Sequence, residues 1–108
     1  MIFFSKAFVK EVKRLLKKNK NLKIDILNLA EKIDKGKIFG SVVNGFPNHT
    51  VVKIRLQNTS NNKGKSSGYR IIYCVQSEED IYFLYIYSKS ELSNIKPNNI
   101  KKLIQEMK

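Results

Sequence analysis

Apolar residues recur at helical spacing twice in the first third of the chain. Phe8, Val12, Leu15 and Leu16 make one stripe, while Lys10, Lys13, Arg14, Lys17 and Lys18 occupy much of the remaining surface. Ser5 stands where an N-cap is needed, because its hydroxyl can satisfy a free amide of the first turn. Asn19-Lys20-Asn21 interrupts the pattern. Leu22, Ile26, Leu29, Ala30 and Ile33 then form a second stripe over about residues 22 to 35, with Gly36 as a natural stop. So short a connection predicts an antiparallel helical hairpin. The apolar run at residues 2 to 4 reads as a short edge strand.

The middle of the chain changes period. Residues 40 to 50 carry Gly40, Asn44-Gly45, Pro47 and Asn48 and predict a loop. From Val51 to Leu56 the residues alternate, with Val52, Ile54 and Leu56 on one face and Lys53 and Arg55 on the other. Residues 57 to 68 are polar and predict a flexible loop. Tyr69 to Val75 and Ile81 to Tyr87 predict a hairpin around the acidic turn at residues 76 to 80. Its apolar residues fall on both faces, as in a strand covered from both sides. Pro97, at a helix N1 position, opens a terminal amphipathic helix with Ile100, Leu103, Ile104 and Met107. The predicted order is β-α-α-β-β-β-α. It implies an α+β fold, with a small antiparallel sheet, two N-terminal helices and a C-terminal helix.

At 108 residues the chain fits one domain, spanning 1–108. Cys74 is the sole cysteine and His49 the sole histidine, so no disulfide or metal site is expected, and no cofactor. No apolar run approaches membrane-spanning length. Met1-Ile2-Phe3-Phe4 is followed at once by Ser5 and Lys6, which predicts no signal peptide and hence a cytoplasmic location.

Charge changes the picture more. Lys and Arg number 21 against 9 Asp and Glu, a net charge of +12. An AT-rich coding sequence would enrich Lys, Asn and Ile and explains part of that count. It does not explain placement: Asp34 and Glu78 are consecutive acids, so residues 35 to 77 are acid-free while holding Lys35, Lys37, Lys53, Arg55, Lys63, Lys65 and Arg70. Such a window suggests a polyanionic partner, most commonly nucleic acid.

Within it, Lys53 and Arg55 share a strand face about 7 Å apart. They read as a phosphate grip or as two solvated bases. Arg70, at the start of a buried-type strand, is a bidentate phosphate clamp or a packed stem with a wet head. Lys63 and Lys65 belong to a basic flap over RNA or to an ordinary soluble connection. Tyr82, Tyr85 and Tyr87 could stack bases, or simply pack. Cys74 reads as core. His49 and the Glu78-Glu79-Asp80 cluster have no evident partners, so neither paired-carboxylate nor serine-triad hydrolysis is expected.

Three ordered segments carry a resemblance. Val52-Lys53-Ile54-Arg55-Leu56, then Gly64-Lys65-Ser66-Ser67-Gly68-Tyr69-Arg70-Ile71-Ile72-Tyr73, then Ile86-Tyr87-Ser88-Lys89-Ser90-Glu91 are similar to successive motifs of the RelE/HigB toxins of bacterial type II toxin–antitoxin systems. The spacing Phe8, Val12, Leu15 in the first helix also fits. The resemblance implies a twisted antiparallel sheet flanked by helices, and a metal-independent endoribonuclease that cleaves mRNA in the ribosomal A site. It implies two partners, a cognate antitoxin and the mRNA-bearing ribosome. By the same resemblance, Lys53, Arg55, Arg70 and Lys89 would be catalytic, and Lys63, Lys65 and Tyr87 would contact RNA. Ser90 and Lys96 stand where the family tends to carry an Arg and a Tyr, and Ser67 replaces a Gly. Those departures leave a second reading: a catalytically degenerate module that holds an antitoxin or RNA without cutting.

Overall fold

Ser5 both starts a helix and ties it to the sheet. In the computed structural model, which describes residues 1–37, 39–57, 68–76 and 80–107, its Oγ accepts a hydrogen bond from Phe8 N at 3.0 Å. The same hydroxyl donates to Leu84 O at 2.8 Å. Helix α1 spans Lys6–Leu16 and α2 spans Leu22–Asp34. Their buried residues are the ones the stripes predict: Phe8 and Leu15, then Leu22, Ile26, Leu29, Ala30 and Ile33. Asn19 closes the hairpin, since its side-chain Oδ1 accepts from Asn21 N and its side-chain Nδ2 donates to Tyr69 Oη at 3.3 Å.

Five strands follow the predicted α+β plan: β1 (Ile2–Phe4), β2 (Ser41–Val42), β3 (Thr50–Leu56), β4 (Tyr69–Val75) and β5 (Ile81–Ser88). They lie in the order β1-β5-β4-β3-β2. The third helix, α3, runs Pro97–Gln105 with its proline in the first turn.

Two details depart from the pattern-based expectation. The sheet is mixed, because β1 pairs parallel to β5 while the other pairings are antiparallel. Hairpin-linked strands must run antiparallel, but two helices and three strands separate β1 from β5 along the chain, so this pair is free of that constraint. Aromatic packing favours its position, with Phe83 in edge contact with both Phe4 and Phe8, whose rings stack on each other. The second departure is β2, which occupies the start of the predicted loop. Gly40 permits it, since a Cβ there would collide with the Lys53 carbonyl. Without one, Ser41 and Val42 pair with Lys53 and Val52.

Both faces of the sheet are covered. Val52, Leu56, Tyr69, Ile71, Tyr73, Phe83 and Ile86 pack under α1 and α2. Val51, Ile72, Cys74, Leu84 and Tyr87 pack with Ile95, Ile100 and Ile104 of the α3 segment. A bulge between the pairs Ile72↔Tyr85 and Tyr73↔Phe83 leaves Leu84 as the extra residue of β5. It reverses the alternation, so Phe83 and Ile86, which differ in parity, both enter the first core.

Candidate nucleic-acid interface

The strand register turns separate basic residues into a row. Arg55 of β3 pairs directly with Arg70 of β4, and Arg70 pairs with Tyr87 of β5. All three lie on the face that carries α3 further along. One step away on the same face the row is Lys53, Ile72 and Tyr85. Directly opposed side chains on antiparallel strands have Cβ atoms about 5 Å apart. Two guanidinium stems therefore stand side by side, with the Lys53 stem about 7 Å further along the strand.

Like charges in direct opposition are destabilising unless something neutralises them. Among the described residues no carboxylate forms an ion pair with Lys53, Arg55 or Arg70. Arg70 Nη1 donates only to the neighbouring Tyr69 carbonyl, at 3.3 Å. Arg55 is exposed and Arg70 half-buried, and the planar donors of a guanidinium suit phosphate oxygens. The electrostatic character of this face is cationic, with no carboxylate paired to its bases among the described residues.

Lys89 follows β5 immediately. Its backbone N donates to Gly68 O at 3.1 Å, which sets the residue beside the start of β4. Its ammonium donates to Ser93 O at 2.9 Å, so the charge turns toward the connection between β5 and α3. The structure therefore groups Arg55, Arg70 and Lys53 on one face and leaves the Lys89 ammonium at its margin. Lys63 and Lys65 lie outside the described residues, as do Glu78 and Glu79.

Tyr87 is only 3% exposed and packs with Ile95, Ile100 and Ile104. Its ring is a core element and presents no open face to a base. Its buried hydroxyl makes no hydrogen bond among the described residues. Burial raises its pKa, and the charge of Arg70 partly opposes that rise. Cys74 is fully buried, as expected, and burial pushes its thiol pKa up. Asp80 lies near the chain's amino group, at 3.9 Å.

Two supporting features escape a reading of the sequence. Gly68 has no room for a side chain, since a Cβ would stand 2.9 Å from Leu56 O and 3.7 Å from Arg55 Nε. Glycine there lets β4 enter tightly against the strand end that carries Arg55. The second feature is an ion cluster beside Lys89. Arg14 donates to both Glu91 oxygens, each at 3.1 Å, and to Glu11 Oε1 at 3.0 and 3.1 Å. Lys18 joins at 3.8 Å. This cluster ties α1 to the segment after β5. Its only sequence signal is Glu91 at the end of the third motif.

A family model described as the RelE toxin of the RelE / RelB toxin–antitoxin system matches the chain over residues 1–108. No curated protein matches it.

Proposed function

The chain belongs to the RelE toxin family, and from that premise we propose that it is a cytoplasmic endoribonuclease that cleaves mRNA in the ribosomal A site. The observation that supports this most directly is the opposed pair Arg55 and Arg70, with Lys53 beside it and no carboxylate partner among the described residues.

Cleavage by transesterification suits such a site. The ribose 2′-oxygen attacks the adjacent phosphorus as its proton leaves to a base. The bond from phosphorus to the 5′-oxygen breaks, and that oxygen takes a proton. The products are a 2′,3′-cyclic phosphate and a 5′-hydroxyl. Negative charge builds on the non-bridging oxygens in between, and preorganised cations there lower the barrier. Arg55 and Arg70 would hold those oxygens through paired N–H donors. Arg stays protonated throughout, so the proton transfers fall to the amines of Lys53 and Lys89. The ribosome would supply in-line alignment of the mRNA. Lys63 and Lys65 would contact the RNA backbone.

A rival reading, a module that holds antitoxin or RNA without cutting, is favoured by one observation: the Lys89 ammonium is occupied by Ser93 O. Induced expression of the wild type and of Arg70→Ala separates the two. Growth arrest with mRNA cleavage that falls about 10²- to 10³-fold in the variant is the expected result. Harmless expression of the folded wild type would refute the nuclease.

A further inference from the structure

Helix α1 is fastened to β5 or its continuation at both ends. At its start Ser5 Oγ donates to Leu84 O. In its last turn Arg14 reaches past the end of β5 to Glu91. One guanidinium serves two carboxylates there. Its Nη1 and Nη2 donate to the two Glu91 oxygens, each at 3.1 Å, while its Nε and Nη2 donate to Glu11 Oε1. Paired donors on paired acceptors fix direction as well as distance. Glu11 stands three residues back on the same helix, and its side chain is only 17% exposed. Leu15, the next residue, is buried in the core. The arginine is therefore held on a rigid element.

The segment it grips has little else to hold it. Residues 89 to 94 are exposed and belong to neither β5 nor α3. Glu91 N and Leu92 N both donate to Ser88 O, at 3.0 Å each, which folds the segment into a turn. Lys89 lies in that turn between two anchors. Its backbone N donates to Gly68 O, two residues before Arg70. Two residues further on, Glu91 is gripped by Arg14. The ammonium sits on a flexible four-carbon stem, so the placement of the turn decides whether the amine reaches the face of Arg55 and Arg70. Both Glu91 oxygens are taken by Arg14, and the Lys89 ammonium rests instead on a neutral acceptor, Ser93 O. That tie is weaker than a carboxylate would make, and a phosphate can replace it.

We infer that Arg14, acting through Glu91, is a positioning residue for the Lys89 amine. The inference rests on the nuclease reading above, in which Lys89 takes part in proton transfer. It adds a residue from α1, a helix packed on the other face of the sheet from Arg55 and Arg70. Displacing a reacting group by about 1 Å can cost about 10²-fold in rate. The clamp therefore matters more to cleavage than to stability, where it contributes little because both side chains are more than a third exposed.

Single-turnover cleavage of mRNA on programmed ribosomes, with the full chain in excess, separates the maximal rate from the half-saturating concentration. Arg14→Ala is expected to lower the maximal rate about 10- to 10²-fold and to leave the half-saturating concentration within about twofold. Its melting temperature should fall by only a few degrees. A double-mutant cycle tests the route through Lys89. In a Lys89→Ala background Arg14→Ala should have no further effect, because the group it positions is gone. A merely structural arginine would cost the same factor in both backgrounds. Arg14→Glu/Glu91→Arg should recover the rate to within about threefold of wild type, since the exchanged pair keeps an arginine among carboxylates. An unchanged rate in Arg14→Ala, an equal loss in both backgrounds, or an exchanged pair no better than either single variant would overturn the inference. Any of these alongside wild-type cleavage sinks the positioning role alone. A wild type that leaves ribosome-bound mRNA intact sinks the nuclease reading and the positioning role with it.

Discussion

Removing one arginine of the opposed pair is expected to stabilise the fold while destroying cleavage. Arg55 and Arg70 are direct cross-strand partners without carboxylate partners among the described residues. For charges about 5 Å apart in a water-like dielectric, Coulomb's law gives a repulsion of about 0.8 kcal/mol. Measured effects of cross-strand pairs, about 0.2–1 kcal/mol, bracket that figure. Arg55→Gln keeps a long polar side chain and removes the charge. A double-mutant cycle with Arg70→Gln cancels the loss of the Arg70 bond to Tyr69 O and isolates the pair. The expected coupling is about 0.5–1 kcal/mol of repulsion in low salt, or a rise in Tm of about 2–6 °C for the first substitution. In about 1 M salt, where the screening length falls to about 3 Å, the coupling should shrink toward zero. Thermal melts of the four proteins, at about 0.01 M and 1 M salt, measure it. Cleavage by each single variant should fall about 10²- to 10³-fold. A coupling that is attractive, or that does not respond to salt, would refute the reasoning, because the guanidinium groups would then be neutralised within the fold.

Three other outcomes are expected. Ser5→Ala removes both the α1 cap and the bond to Leu84 O, so it should cost about 1–2 kcal/mol, read as a lower urea midpoint with unchanged slope. Glu91 is held below the usual carboxylate value of 4.5, chiefly by its hydrogen bonds to Arg14. A depressed carboxylate contributes above its unfolded pKa and loses that contribution as pH falls through the lower folded one. Glu91→Gln should therefore lower stability by a few tenths of a kcal/mol at pH 7, a small value because the side chains are 45% and 38% exposed. The difference should vanish well below pH 4.5 in a pH series of melts. Finally, the buried Cys74 thiol should resist alkylation in the native state and react at a rate that tracks unfolding; rapid labelling at low denaturant would contradict its burial.

Much of this structure is legible in short stretches of sequence. The α1 and α2 stripes, the Ser5 cap and the Pro97 start all depend on neighbours within one or two helical turns, and all stand as predicted. The shared face of Lys53 and Arg55 follows from the two-residue period of an extended chain. The candidate site is half legible in the same way: its residue types are visible, but their mutual placement is not. Nothing local announces that Gly68 clears space beside Arg55, or that Arg14 reaches Glu91 across 77 positions. The core position of Tyr87, which removes it as an open stacking surface, depends on the α3 segment folding back over it.

The bulge at Leu84 draws the boundary most sharply. Alternation alone puts Phe83 and Ile86 on opposite faces of β5, yet one extra residue brings both under α1 and α2 and sends Tyr87 toward α3. A shift of one residue reverses every side chain beyond it, and here the Leu84 carbonyl is fixed by Ser5, 79 positions away. By itself the sequence determined where the three helices and strands β1, β3, β4 and β5 form, and that the middle of the chain is cationic, because those properties arise from adjacent residues; it did not show β2. Only the tertiary structure decided that β1 runs parallel to β5 and that Arg55 faces Arg70. It alone also set the α1–α2 hairpin and the cationic row on opposite sides of the sheet. Those relations are set by pairing and packing between distant segments, where the energy of contact outweighs anything a local pattern encodes.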